Sequence, residues 1–268
     1  KVVSLRYHLD ELRLFKSEAE VDVMKRAGEI TGKAFVEMMR ATKAGVTEHQ
    51  IEASGEFSMK MQGARGMAYV PVVAGGKNAG VIHYVRNDMK LRDGDLVLVD
   101  AGAEYGHYVA DVTRTWPVSG KFTPAQRKLY SAVLKAQKHC ISLIKPSTTT
   151  LDTLHNESHS ILKQELSTIF NRPVRDGEMQ KLYPHHLGHW VGMDVHDTEG
   201  VMRGRRLEKG MCITVEPAVY VPDEERYPEE FRNIGIRIED DVLVGDTGPV
   251  VLSESVPKEV EDVERVMA

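Results

Sequence analysis

Apolar residues recur at helical spacing in several stretches of the chain, and the residues before each stretch predict where a helix begins. Ser17 and Glu20 form a capping box that opens a helix running to about Arg40. Thr47 caps a second helix, through a box with the glutamine three residues later, and this helix is expected to stop near Gly63. The chain therefore begins with two consecutive amphipathic helices.

The same signals predict two helices in the middle of the chain. Thr123 caps a helix, Pro124 takes its first turn, and Pro146 ends it. A further helix is expected over residues 151–170.

Between these helix pairs, the segment LVLVDAGAEYGHYVADVTRTW has the strand-rich pattern of a β-hairpin. If Tyr105 and Gly106 form a two-residue turn, Asp100 lies directly opposite Asp111. Like charges so placed, with Cβ atoms roughly 4.5–5.5 Å apart, repel unless one carboxyl is protonated or a cation lies between them. A bulge that slips the register by one residue would instead send the two aspartates to opposite faces.

A second copy of this strand pattern occurs later in the chain, where EKGMCITVEPA matches RDGDLVLVDAG. The match aligns a turn glycine and a strand-end acid in each copy: Gly94 with Gly210, and Asp100 with Glu216. The next strand-like acid of the second copy, Glu239, follows an inserted acidic stretch at 221–231 that predicts a solvated loop. An internal repeat explains the match, and coincidence within a short window is the alternative.

The order of helices and strands indicates an α+β fold with an antiparallel sheet. No linker divides the 268 residues, so we expect one domain over residues 1–268. No apolar run approaches the roughly 18 residues of a membrane span.

The balance of 35 basic and 40 acidic residues, a net charge of −5, argues against nucleic acid as a partner. Cys140 and Cys212 lie in apolar elements, which indicates buried thiols and a reducing compartment.

Histidines are densest in the segment YPHHLGHWVGMDVHD. His185 and His189 have the i, i+4 spacing of a metal pair on a helix. Pro184 and Gly188 disfavour a regular helix, so we expect a turn and a short strand. Four histidines together, with acids nearby, favour a functional site over isolated polar residues.

Four acids and one imidazole would bring four negative charges together, and two divalent cations would balance them. The acids are Asp100, Asp111, Glu216 and Glu239. Oxygen-rich ligation with one nitrogen suits ions such as Mn²⁺ better than a lone structural Zn²⁺. Two ions about 3.5–4 Å apart lower the pKa of a water between them and polarise a carbonyl, so the pattern predicts hydrolytic chemistry.

The remaining polar and aromatic residues of this region carry weaker signals. Trp190 and Met193 are expected in the wall of the site or in the core. Surface or capping positions are expected for His107, His139, His155 and His159, and a solvated loop for Arg203, Arg205 and Arg206.

Several motifs in order carry a family resemblance: IHYVRND, LVLVDAGAEYGHYVADVTRTWPVSGKFT, YPHHLGHWVGMDVHDT, TVEPAVYVP and GIRIEDDVLV. Across residues 12–268 the chain resembles the catalytic domain of the aminopeptidase P branch of the creatinase, prolidase and methionine aminopeptidase superfamily. The resemblance implies the pita-bread fold, with a curved antiparallel sheet, helices and a pseudo-twofold repeat. The mitochondrial members, including intermediate-cleaving peptidases that trim one residue from imported proteins, are the most similar.

Residue by residue, the resemblance implies a dinuclear metal centre, usually of manganese, held by Asp100, Asp111, His189, Glu216 and Glu239. It implies a substrate site formed by His83, His185 and His196, with Arg237 beside the last glutamate ligand. We expect Glu216 to act as proton shuttle, and His83 and His196 to donate hydrogen bonds during catalysis. Arg237, also a candidate substrate-site residue, is expected to orient a ligand carboxylate.

The implied activity is that of a metallo-exopeptidase that removes one residue from peptides or imported proteins with Xaa-Pro or related N-termini. A prolidase, which cleaves Xaa-Pro dipeptides with the same ligands, is the first alternative. A non-catalytic binding module of the same fold is the second, and the five filled ligand positions argue against it.

The resemblance also implies where the protein acts and how it assembles. A mitochondrial location is expected, with the cytoplasm as the alternative. Aminopeptidases P usually carry an N-terminal domain that supports subunit association, so we expect residues 1–16 to be a linker from a missing N-terminal part. A homodimer and a peptide or protein N-terminus are the expected partners, without nucleic acid or membrane.

Overall fold

The computed structural model describes residues 4–268, and seven α-helices lie in this part of the chain. They are α1 (Arg6–Leu14), α2 (Glu18–Ala41), α3 (Glu48–Met61), α4 (Pro124–Ser142), α5 (Leu151–Ile169), α6 (Asp176–Leu182) and α7 (Val260–Met267). Within the described residues, no helix combines the length and the apolar character that crossing a membrane requires. Cys140 and Cys212 are buried free thiols, as predicted.

Three of the four predicted helices begin at their predicted caps, and the fourth begins at its predicted first residue. The Ser17 hydroxyl accepts a hydrogen bond from the Glu20 backbone N–H, and the Glu20 side chain accepts one from Ser17 in return, so α2 starts at the next residue. Thr47 and Thr123 form equivalent boxes before α3 and α4. The fourth helix, α5, ends one residue before its predicted limit. Local sequence therefore determines these four helix starts.

Three shorter helices, α1, α6 and α7, were not predicted. They have 9, 7 and 8 residues, too few for a helical period to stand out or for stability without tertiary packing. Helix α1 lies inside the segment 1–16, which was expected to be a linker, and its last residue, Leu14, is fully buried. Residues 1–3 of that segment lie outside the described residues.

Eleven short strands occur in the described chain, and all of their pairings are antiparallel. They are β1 (Gly66–Met67), β2 (Val72–Gly75), β3 (Leu96–Ala101), β4 (Ala103–Tyr105), β5 (Tyr108–Val109), β6 (Val112–Pro117), β7 (Cys212–Val215), β8 (Ala218–Val221), β9 (Ile234–Arg237), β10 (Asp240–Val244) and β11 (Pro249–Val251). The strand orders are β2-β3-β6, β11-β10-β7, β1-β4-β5 and β8-β9.

Two parts of the chain share one strand plan, as the matching segments predicted. Strands β3 and β6 pair and enclose the hairpin β4–β5, while β7 and β10 pair and enclose the hairpin β8–β9. Gly94 and Gly210 precede the first strand of each copy with φ of 84° and 89°. This left-handed conformation favours glycine, which explains why both copies carry one at this place.

The hairpin between β3 and β6 has a different register from the predicted one. Its turn is centred one residue later, on Gly106 and His107, which have φ of 56° and 67°. A turn with positive φ at both central residues suits this pair better than a pair that includes tyrosine. Asp100 therefore pairs with Thr113 and not with Asp111, so the predicted direct pair was wrong. Because side chains alternate with a period of two, a slip of two residues keeps both aspartates on one face.

The acidic insertion at 221–231 is anchored to the helical layer. Tyr227 and Phe231 are only 1% and 2% exposed, and each ring centroid lies 5.6 Å from that of Phe170, which follows α5. The predicted solvated surface loop is therefore confirmed for the charged residues only. Its charges face solvent, but two aromatic side chains fasten it to the core.

A buried charge network joins the two strand plans. Arg114 on β6 lies 2.7 Å from Asp240 on β10, and neither side chain is exposed. The second oxygen of Asp240 accepts hydrogen bonds from Gln137 at 2.6 Å and Lys258 at 2.5 Å. Burial alone would raise the pKa of Asp240, but Arg114 and Lys258 outweigh it and lower that pKa. The network thereby fixes the residue that follows Glu239.

Arg114→Met should lower the free energy of unfolding by about 3–5 kcal/mol, because it leaves the Asp240 carboxylate buried without its main partner. Urea denaturation measures the loss. The matched control is Arg127→Met, whose ion pairs with Glu261 and Glu264 lie at the surface and whose midpoint should be unchanged. A loss of less than about 1 kcal/mol for the Arg114 variant would contradict this account of the network.

Candidate metal centre and substrate cavity

Four acidic side chains converge where the paired strands of each copy end. Asp100 lies near the end of β3 and Asp111 directly before β6. Glu216 directly follows β7, and Glu239 directly precedes β10. The two copies meet here, since the Glu239 backbone N–H donates to the Thr113 carbonyl at 3.0 Å. Each copy of the strand plan therefore supplies one acid from each of its two long strands.

The hydroxyl of Tyr69 links the two aspartates, since its oxygen lies 2.6 Å from Oδ1 of Asp100 and 2.6 Å from Oδ1 of Asp111. A hydroxyl has one hydrogen, so it donates to only one of them, and the other short contact needs a proton on the carboxyl. Burial is the largest cause that raises the pKa of Asp100, and the charge of Arg237 opposes it. Sequence reasoning missed Tyr69, because its spacing to the aspartates carries no signal.

His189 lies against two of the acids. Its Nε2 is 3.4 Å from Oδ2 of Asp111 and 3.7 Å from Oε1 of Glu216. Its Nδ1 lies 3.1 Å from the Trp190 carbonyl, so a proton on Nδ1 leaves Nε2 free to act as a ligand. Burial would lower the pKa of His189, but Asp111 outweighs it and raises that pKa to about 9.

The carboxyl groups cannot all carry full charge in this cavity. Burial is the largest cause that raises the pKa of Glu216 to about 7 and that of Glu239 well above its usual range. The charges of Asp111 and Glu216 raise the pKa of Glu239 further. Only Asp111 has a lowered pKa, since His189 outweighs the effect of its burial. The cluster therefore needs protons or cations for stability.

The donor set fits divalent cations. Asp111, His189 and Glu239 each offer one ligand atom within 4.8 Å of the others. A divalent ion bonded at about 2.0–2.6 Å spans such a separation. Asp100 and Glu216 line the same cavity as these three residues, so all five predicted ligands face one space.

Arg237 is buried beside the acids, and its guanidinium group donates hydrogen bonds to three side chains. It donates to Oδ2 of Asp100 at 2.6 Å, to the Tyr220 hydroxyl at 2.6 Å and to Oγ1 of Thr113 at 3.0 Å. The Thr113 hydroxyl in turn donates to Glu239 at 2.6 Å. The arginine is only 2% exposed, so its position suits the orientation of Asp100 better than contact with a substrate.

Two adjoining cavities of about 420 and 470 Å³ open over the acids and share His83, His189, His196 and Glu216 in their walls. The rings of His189 and His196 are 4.5 Å apart and meet edge to face at 79°. Burial and then the charge of His189 lower the pKa of His196. His185 lines the larger cavity, where burial and then Arg237 lower its pKa to about 3. His185 is therefore neutral near pH 7, and the lowered pKa of His196 favours its neutral form.

The loop that carries His83 is held by a buried glutamate that the sequence did not single out. Glu48, at the start of α3, is fully buried. Its oxygens accept four hydrogen bonds of 2.8–2.9 Å, from the Gly75 and Met89 backbones, the Asn78 amide and the Tyr84 hydroxyl. Both ends of the loop and the residue after His83 are thereby fixed.

Of the residues expected at the surface, Arg203 belongs to the cavity wall and His155 is half-buried. Arg203 lines the larger cavity and donates to the Gly188 carbonyl at 2.6 Å, so its assignment to a solvated loop was wrong. His155 is half-buried against His186, and burial lowers its pKa to about 4. Trp190 is buried in the same wall, as expected. Tertiary packing decides whether amphipathic side chains such as these are buried or exposed. The residue type alone therefore does not predict their burial.

The histidine-rich segment adopts no helix, in agreement with the glycine and proline pattern. The short strand expected there is reduced to one bridge, between Trp190 and Ile213. Gly188 explains the close approach, because a Cβ at this position would lie 2.0 Å from the Thr214 carbonyl oxygen.

Comparison with known proteins gives a consistent result. The model of metallopeptidase family M24 matches residues 22–246. Xaa-Pro aminopeptidase 3 of Rattus norvegicus is 44% identical over 99% of this chain and 53% of the relative. The protein described as intermediate cleaving peptidase 55, mitochondrial, of Arabidopsis thaliana is 42% identical over 100% of this chain and 54% of the relative. The chain thus spans about half the length of these relatives.

The fold comparison agrees with the sequence comparison. A solved structure of an Escherichia coli aminopeptidase P variant superposes with a TM-score of 0.94 at 39% identity, and covers 99% of this chain and 62% of that one. This similarity confirms the predicted α+β pita-bread fold. The chain belongs to metallopeptidase family M24 and has the fold of its aminopeptidase P members.

Proposed function

We propose that this chain is the catalytic part of a metal-dependent aminopeptidase that removes one residue from the N-terminus of peptides. The observation that carries the proposal is the convergence of four carboxylates and one imidazole in the wall of an open cavity, in a member of family M24. Two of its relatives, an Xaa-Pro aminopeptidase and an intermediate cleaving peptidase, support cleavage of Xaa-Pro or related N-termini.

The proposed cofactor is a pair of divalent ions, with Mn²⁺ favoured because four ligands are carboxylates and one is an imidazole. The proposed ligands are Asp100, Asp111, His189, Glu216 and Glu239. When bound, such a pair activates a water and polarises the scissile carbonyl. The raised pKa values of Glu216 and Glu239 support the cofactor, since two cations would offset the charge that the cavity cannot otherwise hold.

Glu216 is the proposed proton shuttle to the leaving nitrogen. Its oxygens lie toward two rings, Oε1 at 3.7 Å from His189 and Oε2 at 3.7 Å from His185. It also lines both cavities, so a peptide bond in either lies within its reach. The carboxyl can therefore pass a proton without leaving its place beside the other acids.

His83 and His196 are the proposed hydrogen-bond donors to the substrate carbonyl region. Both line both cavities, whereas Arg237 and Asp100 line only the smaller one. A neutral imidazole keeps one N–H to donate, and the lowered pKa of His196 supports that state. His185, whose Nε2 lies 3.1 Å from the Tyr220 hydroxyl, is proposed to shape the neighbouring substrate pocket.

Restriction to the first residue is proposed to depend on the free α-amino group of the substrate. This group can meet a bound ion or a nearby carboxylate, whereas an internal peptide bond offers no amine. Arg237 is proposed to orient Asp100, in line with its 2.6 Å hydrogen bond.

We further propose a mitochondrial location and a homodimer. The description of the Arabidopsis relative supports the location, while the similarity to a bacterial enzyme keeps the cytoplasm as the alternative. Four exposed apolar side chains support association with another chain or domain. Val70 and Val85 line the smaller cavity, and Met193 and Met202 directly precede the cavity-lining residues Asp194 and Arg203.

Asp111→Ala should abolish turnover while leaving a folded protein, because one ligand and one charge are lost but no core side chain is. The rate of peptide cleavage with added Mn²⁺ measures turnover, and the thermal unfolding midpoint shows whether the variant is folded. The matched control is Asp93→Ala, an exposed acid three residues before β3, which should keep the full rate. Normal turnover in the Asp111 variant would remove this residue from the proposed centre.

Acetylating the N-terminus of a good substrate should stop its cleavage, because the neutral amide loses the attraction of the ammonium for the acidic cavity. Mass spectrometry of an Xaa-Pro peptide and its acetylated form, with Mn²⁺ present, measures the ratio of rates. Equal rates, or cuts in the peptide interior, would indicate a less restricted hydrolase and contradict the exopeptidase assignment.

A further inference from the structure

The N-terminal segment is joined to the loop that carries His196 by a row of ion pairs. We call this row the brace; it comprises Arg6–Glu199, Glu11–Arg205, Arg13–Asp194, Arg13–Asp197 and Lys16–Asp197. The brace thus connects α1 and the residues after it with the stretch 194–205. Nothing in the sequence indicated this connection, since the partners are far apart along the chain.

The inner end of the brace is buried and the outer end is exposed. Lys16 Nζ lies 3.3 Å from Oδ2 of Asp197, and both side chains are only 1% exposed. Arg13 lies 2.5 Å from Oδ1 of the same carboxylate. By contrast, the Arg6 and Glu199 side chains are 62% and 66% exposed, and such pairs contribute little. The interaction energy of the brace is therefore concentrated on Asp197.

Both ends of the inner pair are fixed to neighbouring backbone. The Asp197 N–H donates to the Trp190 carbonyl at 3.0 Å, and the Lys16 N–H donates to the Gly210 carbonyl at 2.8 Å. Gly192 leaves room for the pair, because a Cβ there would lie 2.3 Å from Oδ2 of Asp197 and 2.9 Å from Lys16 Nζ. The carboxylate beside His196 is consequently held in one place.

We propose that Arg13 and Lys16 are positioning residues for His196, whose ring they hold against His189 through the Asp197 carboxylate. This inference rests on the proposed function, in which His196 donates to the substrate. Buried ion pairs are often no more stabilising than apolar replacements. A positional role therefore explains a buried lysine paired with the residue after His196 better than a purely stabilising role does.

Lys16→Met in the 268-residue chain should lower kcat/KM by about tenfold or more, because a small displacement of a donor ring is costly in rate. The metal content of the variant should equal that of the unmodified chain, since no proposed ligand is touched. Arg6→Met is the matched control: it removes an exposed pair of the same brace without reaching Asp197, and it should keep the full rate.

A double-mutant cycle separates positioning from general destabilisation. In a His196→Ala background, Lys16→Met should cause no further loss of rate, because the ring that it positions is absent. The same loss in both backgrounds, or a Lys16→Met enzyme with the unmodified rate, would overturn the proposal. If Lys16→Met does not fold, Arg13→Met carries the same cycle, since it leaves the Lys16–Asp197 pair in place.

Hydrogen exchange gives a readout that does not depend on activity. Amides of residues 193–199 should exchange faster in Lys16→Met, or in Arg13→Met, than in the unmodified chain, and Arg6→Met should show no change. Unchanged exchange would overturn the proposal that the brace holds the loop of His196, even if the enzyme is active. A chain that binds metal, shows the exchange difference and cleaves no peptide would overturn the proposed function and not the fixing of the loop.

Discussion

Four carboxyl groups share one buried cavity, and the cost of removing their charges from water governs the arrangement around them. The protein offsets part of this cost with Arg237, which bonds to Asp100, and with His189, which lies beside Asp111. Protons on Glu216 and Glu239 would offset the remainder in the absence of cations. Divalent ions can replace those protons. The repulsion between the carboxylates therefore favours a cofactor made of cations.

The duplicated strand plan solves the problem of placing the acids. Each copy ends one long strand and begins the other with an acid, and the copies meet through the bond from Glu239 to Thr113. The walls above the acids come from loops, which need separate support. Glu48 holds the loop of His83 with four hydrogen bonds, and the brace holds the loop of His196. Rigid supports of this kind suit a site that works by orientation.

Sequence alone gave the parts of the fold that depend on local signals. Helix caps such as Ser17 and turn glycines such as Gly94 act within a few residues, so their effect can be read directly. The strand-end acids could be found because a repeat marks them. The hairpin register was wrong because the turn choice depends on which residues accept positive φ, although the even slip preserved the shared face. The roles of Tyr69, Arg203 and the brace depend on contacts between distant segments. No pattern in the sequence predicts such contacts.

The central claim is that the five-residue centre binds two divalent ions, and isothermal titration of the metal-free chain with Mn²⁺ tests it most directly. Near pH 7 we predict two equivalents per chain, with protons released as the carboxyls of raised pKa become ligands. Repeating the titration in buffers of different ionisation enthalpy counts those protons. Absence of binding, or a single ion bound without proton release, would contradict the account.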